Sequence, residues 1–568
     1  VLERLDRLAP DQRAAATAPP GPVLCVAPAG SGKTTTLVAR VAWLVDQGID
    51  PAAISVVAFN KRAAQELLLR IDAALAPIGA AHVRVRTFHA LGREMLAEAG
   101  IAVDPLVDRD QLLRRLLPGS PASQRGRLDL AISRLKLDLR VTADDVARDP
   151  NPGPIARAFI TYERAVADTG GVDFDDLVAR ALALLLEDPI TLAAWRARCA
   201  HLLVDEAQDL DRTQLDLGLL LAAPENRVFL VGDDDQTIYG WRLADVRRVL
   251  GLAALLPGLR RVDLETNYRC PAPVVQRAVR LIEHNGERFA KRIRAGPAAR
   301  GRLVLAPDGG DDLVRIVRAM GTWPDNRDTR AVLARTNREL LAAVVAAVEL
   351  GLAFRAPELA LPIEDERIDD LLDRAVVITA TIPGISPLAT LGALRREVEA
   401  SDGAELPDGP AGERVTEGLE RGERPAADPA DDDGDRPSRS ELATALLGWA
   451  PACPSIAALR DAVRDRRARL AALRSDDAAL TLATAHGTKG LEWDHVIVLA
   501  DGFPGRRSIS DAPEPARAME EERRLAYVAW TRARRSLTLV FDPDAPSPFL
   551  LEAFSADELG LSDEAWAA

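Results

Sequence analysis

Apolar runs of about four to eight residues bounded by turn residues predict buried strands, and apolar positions three and four apart predict helices packed by one face. The first such unit is Val23-Leu24-Cys25-Val26, which runs through a glycine-containing loop into a helical pattern over Thr35–Gln47. Strand patterns follow at Ile54–Phe59 and Val83–Thr87, with a helix over Ala63–Leu75 between them. From about Pro105 to Ala167 the chain turns helical and arginine-rich, without strand runs, as an inserted helical unit would. Strands resume at His201–Asp205 and Arg227–Gly232. A second alternating region begins near Pro271, with strand-like runs at Arg302–Ala306, Arg330–Ala334, Leu480–Thr484, Val496–Leu499 and Leu537–Phe541. Strands alternating with helices predict an α/β fold with parallel sheets.

Composition changes this picture at one place. Residues Ser401–Ser440 hold 12 acidic and 5 basic side chains and few large apolar ones, which predicts a disordered linker flanked by short helices at Leu388–Ala400 and Ile456–Leu473. That stretch carries −7 of the net charge of −14, so overall acidity does not exclude a basic groove for nucleic acid elsewhere. The 568 residues suit three to four domains. No apolar run approaches the roughly 18 residues of a membrane span. The charged start Val1–Arg7 is unlike a secretion signal, so no membrane partner is expected. The four cysteines are widely separated and the six histidines show no ligand spacing, which leaves carboxylates and a bound nucleotide as the expected metal ligands. Lysine is scarce, at five (Lys33, Lys61, Lys136, Lys291, Lys489) against 67 arginines.

The strongest chemical signal is Ala27-Pro28-Ala29-Gly30-Ser31-Gly32-Lys33-Thr34 between a strand and a helix. Glycines let backbone N–H groups close around phosphate, and the helix N-terminus adds positive potential. Lys33 would reach the β- and γ-phosphates and Thr34 would coordinate Mg²⁺, with Ala27 standing where the usual pattern has glycine. Leu202-Leu203-Val204-Asp205-Glu206 supplies the matching strand end, with Asp205 for Mg²⁺ and Glu206 to orient water.

Further segments carry a family resemblance. Asp205–Asp209 and Val231–Arg242 resemble the second and third motifs of UvrD/Rep/PcrA-like superfamily 1 DNA helicases. Leu8–Gln12 is similar to that family's adenine-reading glutamine motif. Leu264–Arg269, Thr484–Trp493 and Glu521–Ala533 resemble its fourth, fifth and sixth motifs. The resemblance implies two RecA-like P-loop NTPase lobes with parallel sheets, a helical insertion in the first and a reduced insertion in the second. The implied division is a first lobe over 1–96 and 171–275, its insertion over 97–170, a second lobe over 276–380 and 478–568, and a reduced accessory insertion over 381–477.

The roles implied by resemblance follow residue by residue. ATP would be held by Gln12 at the adenine edge, by residues 27–34 with Thr35, by Tyr268 stacking and by Glu492 near the ribose. Lys33, Asp205, Glu206, Gln236, Arg269 and the arginine finger Arg532 would be catalytic. Phe59, Asn60, Arg62, Thr87, Phe88, His89, Tyr239, Trp241, Arg242 and His486 would contact DNA. Val57–Ala64 and Thr35 depart from the common family pattern. The short interval between Arg374 and Leu480 makes strand separation less secure than translocation. The implied protein is an ATP- and Mg²⁺-dependent helicase, cytoplasmic and nucleoid-associated, moving 3′→5′ on single-stranded DNA or a tailed duplex. A motor subunit needing a repair or recombination partner, and a nucleotide-switched DNA clamp, remain as alternatives.

Overall fold

The computed structural model describes residues 5–79, 83–118, 120–297, 299–382, 384–404 and 439–561; most of the expected acidic linker therefore lies outside the described residues. Six strands form the first sheet: β1 (Val23–Val26), β2 (Ile54–Ala58), β3 (Arg84–Thr87), β4 (His201–Val204), β5 (Val228–Gly232) and β6 (Arg260–Asp263). They lie in the order β3-β2-β4-β5-β1-β6, and every pairing is parallel. β1, β2, β4 and β5 are buried along their whole length. Helices cover both faces of such a sheet, which is why these strands read as unbroken apolar runs.

The short pair β7 (Thr266–Asn267) and β8 (Arg294–Ala295) leads into a second six-stranded parallel sheet. It comprises β9 (Arg302–Pro307), β10 (Arg330–Ala334), β11 (Phe354–Arg355), β12 (Leu480–Thr484), β13 (Trp493–Leu499) and β14 (Ala533–Phe541), in the order β11-β12-β10-β13-β14-β9. The protein is thus α/β with two parallel sheets, as the patterning predicts. The helix Ala272–Ile282 buries Val274, Val275 and Leu281 in the core of the second sheet, a few residues ahead of the expected boundary at 276.

Element edges differ from the sequence reading where side chains cap helices. The helix expected at Ala63 begins at Lys61, because Asn60 accepts the Ala63 N–H at 2.8 Å. β3 ends at Thr87, whose hydroxyl accepts the Ala90 N–H at 3.2 Å and starts the helix Phe88–Glu98. The first phosphate-loop helix covers Lys33–Asp46 rather than Thr35–Gln47, since Gly32 turns the chain at φ 86°.

Two helical units have cores of their own. One buries Leu113, Ile132, Phe159, Tyr162 and Val166 from helices between Arg109 and Asp168. It is tied to the first-sheet unit by ions: Arg109 meets Asp173 at 2.7 Å and Asp175 at 2.6 Å, and Lys136 meets Asp173 at 2.8 Å and Asp176 at 2.9 Å. The other comprises helices Arg367–Thr381, Pro387–Ala404, Arg439–Trp449 and Ile456–Leu473, burying Ile368, Leu372, Leu394, Leu446 and Leu459. Its packing includes Arg367–Thr381, ahead of the 381 given for the accessory insertion, and its four helices share one core. Among the described residues no single helix is long and apolar enough to cross a membrane. The bent pair Arg439–Ala452 and Ile456–Leu473 passes that test only when joined, and it contributes to this core.

Gly92 sets how closely Phe88–Glu98 approaches the helix Asp176–Glu187, because a Cβ there would lie 2.1 Å from the Leu177 carbonyl oxygen. Gly92→Ala is expected to destabilise the first lobe by about 1–3 kcal/mol through overpacking. Thermal unfolding reads this directly, and an unchanged midpoint would contradict the close approach.

A candidate nucleotide site between the two sheets

β1, β2, β4 and β5 all deliver their C-terminal ends to one edge of the first sheet, the edge at which parallel α/β sheets bind ligands. The loop after β1 is built for backbone contact. Gly30 and Gly32 have φ of 68° and 86°, where a side chain is disfavoured. There is also no room: a Cβ on Gly30 would sit 2.7 Å from Arg269 Cβ and from Asn267 Oδ1, and one on Gly32 would sit 2.5 Å from Gln12 Nε2. Ala27, Pro28 and Ala29 are buried beneath the loop, and Ala27 packs in the apolar core, which explains how alanine serves there. Gln12 donates from Nε2 to the Ser31 carbonyl at 2.8 Å and accepts the Ala9 N–H at 3.2 Å. The buried Ser31 hydroxyl has no hydrogen-bond partner among the described residues. Thr34 is half-buried in the first helical turn, and Thr35 is exposed.

Carboxylates gather opposite this loop. Lys33 Nζ lies 3.0 Å from Glu206 Oε2. Glu206 is held at φ 49°, unusual for a side-chain-bearing residue, while its N–H donates to Asp205 Oδ1 at 3.0 Å. Gln208 Nε2 donates to Glu206 Oε2 at 2.7 Å. Burial, then the neighbouring Glu206 charge, pushes Asp205 up to about 7. Burial would also raise Glu206, but the ammonium groups of Lys33 and Lys489 outweigh it and hold it at about 2. Asp205 stays raised despite Lys33 and Lys489, so the pair is short of positive charge. That shortage, the unpartnered Ser31 hydroxyl and the glycine cradle fit a phosphate chain carrying a divalent cation.

The second sheet completes the site. Arg532, fully buried before β14, donates from Nη2 to Gln236 Oε1 at 3.1 Å and from Nε to the Val528 carbonyl at 2.8 Å. Burial, then the adjacent Arg269, lowers its pKa to about 10. Gln236 in turn donates to Asp233 Oδ2 at 2.6 Å, and its carbonyl accepts Lys489 Nζ at 2.8 Å. Lys489 also pairs with Asp209. Arg269 pairs with Glu492 and donates to the Thr531 carbonyl at 3.2 Å, while Arg534 Nε reaches Glu492 at 3.0 Å. Tyr268 donates its N–H to the Gly30 carbonyl at 2.8 Å, and its side chain is half-exposed.

The expected nucleic-acid residues divide into two sets. Phe59 and Tyr239 stack with centroids 5.2 Å apart, and Trp241 meets Tyr239 edge-on at 6.1 Å. The Arg242 guanidinium lies 4.4 Å from the Trp241 ring, and Lys489 lies 5.1 Å from that of Tyr239. Tyr239 Oη donates to the His486 carbonyl at 3.3 Å, so both sheets contribute to this aromatic strip. Among the others, Asn60 and Thr87 cap helices, and Phe88 is buried in the first-sheet core. Arg62 is exposed at the start of its helix. His89 stacks on Phe174 at 3.8 Å, and burial lowers its pKa to about 4, leaving it neutral near pH 7. Phe59, Phe88, His89 and Asp205 line one hollow, so the aromatic strip and the carboxylates adjoin.

Sequence motifs do not single out the cations behind Gln236. Lys291, with a fully buried side chain, lies 3.0 Å from Asp233 and 2.9 Å from Asp235 and also pairs with Asp234; Arg288 meets Asp235 at 2.7 Å. The signal available was the scarcity of lysine. Lys33, Lys136, Lys291 and Lys489 all sit in carboxylate clusters, whereas Lys61 is exposed.

The chain is similar in sequence to known proteins. The family model described as the UvrD/REP helicase N-terminal domain matches residues 8–255, and that of the UvrD-like helicase C-terminal domain matches residues 464–542. DNA helicase II of Escherichia coli is 29% identical over 622 aligned positions, covering 94% of this chain and 84% of its own length. The alignment is longer than the 568-residue chain, so it spans stretches that this chain lacks. The Salmonella typhimurium DNA helicase II aligns with the same identity and coverage. ATP-dependent DNA helicase PcrA of Staphylococcus epidermidis is 32% identical over 287 positions, 48% of this chain and 39% of its own length.

Removing the buried Lys291 charge by Lys291→Met leaves Asp233 and Asp234 without their lysine partner and Asp235 with Arg288 alone, which is expected to cost about 3–5 kcal/mol. Denaturant unfolding measures the loss; wild-type stability in this variant would mean that the cluster does not hold the turn.

Proposed function

As a member of the UvrD/REP helicase family, to which both family models assign it, the protein is, we propose, an ATP-driven motor that moves 3′→5′ on single-stranded DNA and opens a tailed duplex in bacterial DNA repair, replication or recombination. One observation carries this reading above the rest. Arg532, from the second sheet, reaches Gln236 at the edge of the first, so a triphosphate in the glycine loop would meet cations from both lobes. Hydrolysis on such a site depends on lobe closure, and closure is movement.

In this reading Lys33 neutralises the outer phosphates, and Glu206 orients water and accepts its proton. Gln236 senses the γ-phosphate, and Arg269 and Arg532 stabilise the charge that develops there. Tyr268 stacks on the adenine that Gln12 reads at its edge, and Glu492, freed from Arg269, faces the ribose. Mg²⁺ held by Thr34 and Asp205 would neutralise phosphate charge. Phe59, Tyr239 and Trp241 offer stacking faces to successive bases, which favours single strands without demanding a sequence. Arg242 and His486 stand beside them, and Asn60, Arg62, Thr87, Phe88 and His89 line or support the same groove. We place the protein on nucleoid DNA in the cytoplasm.

A second reading is a motor subunit that needs a protein partner to unwind. It is favoured by the accessory unit, whose described part is only four helices around one core, and by the stretches of DNA helicase II that this chain lacks.

Steady-state ATPase with and without single-stranded DNA, run beside unwinding of a 3′-tailed duplex, separates the readings. Lys33→Ala should abolish turnover. Glu206→Gln should retain ATP and DNA binding but lose about 10²–10⁴ in kcat, and full turnover there would remove Glu206 as the base. Trp241→Ala should weaken DNA-stimulated turnover more than basal turnover. DNA stimulation without unwinding would select the motor-subunit reading.

A further inference from the structure

Two contacts of the helix Pro515–Trp530 and its C-terminal end bear on the nucleotide edge and the aromatic segment, while Arg517 also pairs with Asp245 of the first lobe at 2.5 Å. Just beyond its C-terminal end, Arg532 reaches Gln236. Near its middle, Glu521 Oε1 accepts the backbone N–H of Gly240 at 2.9 Å. Gly240 lies between Tyr239 and Trp241, the aromatic pair, and a Cβ on it would come within 2.4 Å of the same carboxylate oxygen. The ten helical residues Glu521–Trp530, about 15 Å, thus run alongside the short first-lobe segment from Gln236 to Gly240.

The flanking residues anchor this rod. Glu520 accepts the N–H groups of Gly286 at 2.8 Å and Glu287 at 3.2 Å, in the connection between the sheets. Glu522 pairs with the buried Arg335 at 2.7 Å, fixing the helix to the end of β10 in the second sheet. Three successive carboxylates therefore grip the connection, the aromatic segment and the second sheet. Glu521 alone spans to the aromatic segment, and it touches neither the phosphate loop nor an aromatic face in the contacts described above. A base stacking on Tyr239 or Trp241 would press on the Gly240 backbone, and the helix would carry that displacement to Arg532.

We infer that Glu521 is a positioning residue that couples strand binding at the Tyr239–Trp241 segment to placement of Arg532 at the nucleotide. This inference rests on the motor reading above and deepens it. Glu521 is not catalytic, so its loss should leave turnover without DNA intact while disconnecting the response to DNA.

The test is ATPase kcat and KM with and without oligo-dT, on the full chain. Glu521→Ala leaves the Gly240 N–H without its acceptor and should reduce DNA stimulation about tenfold, with basal kcat within about twofold of wild type. Glu521→Gln keeps a neutral acceptor and should retain stimulation within about threefold. Gly240→Ala displaces the carboxylate from the other side, so it should reduce stimulation and add little in the Glu521→Ala background. If Glu521→Ala does not fold, Gly240→Ala against Glu521→Gln carries the comparison. Wild-type stimulation in Glu521→Ala and Gly240→Ala, or an equal fall of basal and stimulated rates, overturns the coupling role. A wild-type protein whose ATPase ignores DNA overturns the motor reading and the coupling together, whereas a responsive wild type with unchanged variants overturns the coupling alone.

Discussion

Buried negative charge at the C-terminal edge of the first sheet is the constraint on which the rest of the site depends. Asp205, Asp209, Asp233, Asp234 and Asp235 are all buried there, with Glu206 among them. Carboxylates survive burial only beside cations or with a proton retained. The first lobe's own motif supplies Lys33, but Lys489 and Arg532 come from the second sheet's unit, and Arg288 and Lys291 from the connection between the two. The lobes are held together by an electrostatic need that neither meets alone. A nucleotide with its cation would change that balance, which is how a chemical event at the phosphates can become a mechanical one.

The same logic recurs at the helical insertion. Asp173 has no exposed side-chain surface and is satisfied by Arg109, Lys136 and the Tyr162 hydroxyl. Burial works against its charge, but the two cations hold its pKa well below the carboxylate range. The insertion is thereby fixed to the start of Asp176–Glu187, the helix that Gly92 lets approach so closely. A chain of packed helices and paired ions thus runs from the insertion to the carboxylate edge.

Much of the fold, and the glycine loop with the carboxylate strand end opposite it, was legible in the sequence. Both parallel sheets follow from apolar runs, because a strand covered on two faces has no polar side to alternate with. The phosphate loop was readable because it needs glycine for its backbone shape and lysine for charge, both within one short segment. The aromatic strip was legible only in part. Tyr239 meets both Phe59 and Trp241, while Phe88 packs in the core and Asn60 and Thr87 cap helices, contacts that no sequence pattern specifies.

What the sequence determined by itself is everything set by local shape: the strand and helix order, the glycine cradle, and the strand ends that carry Asp205 and Asp233. Tertiary structure alone decided which cation faces which carboxylate. Lys291 lies 56 or more residues along the chain from the aspartates it neutralises and is marked in the sequence only by the rarity of lysine, and Glu521 is one glutamate in a run of three. Pairings such as Lys489 with Asp209 and Glu521 with Gly240 join residues hundreds of positions apart. No local periodicity encodes them, because electrostatic attraction depends on distance in the folded chain and not on separation along it.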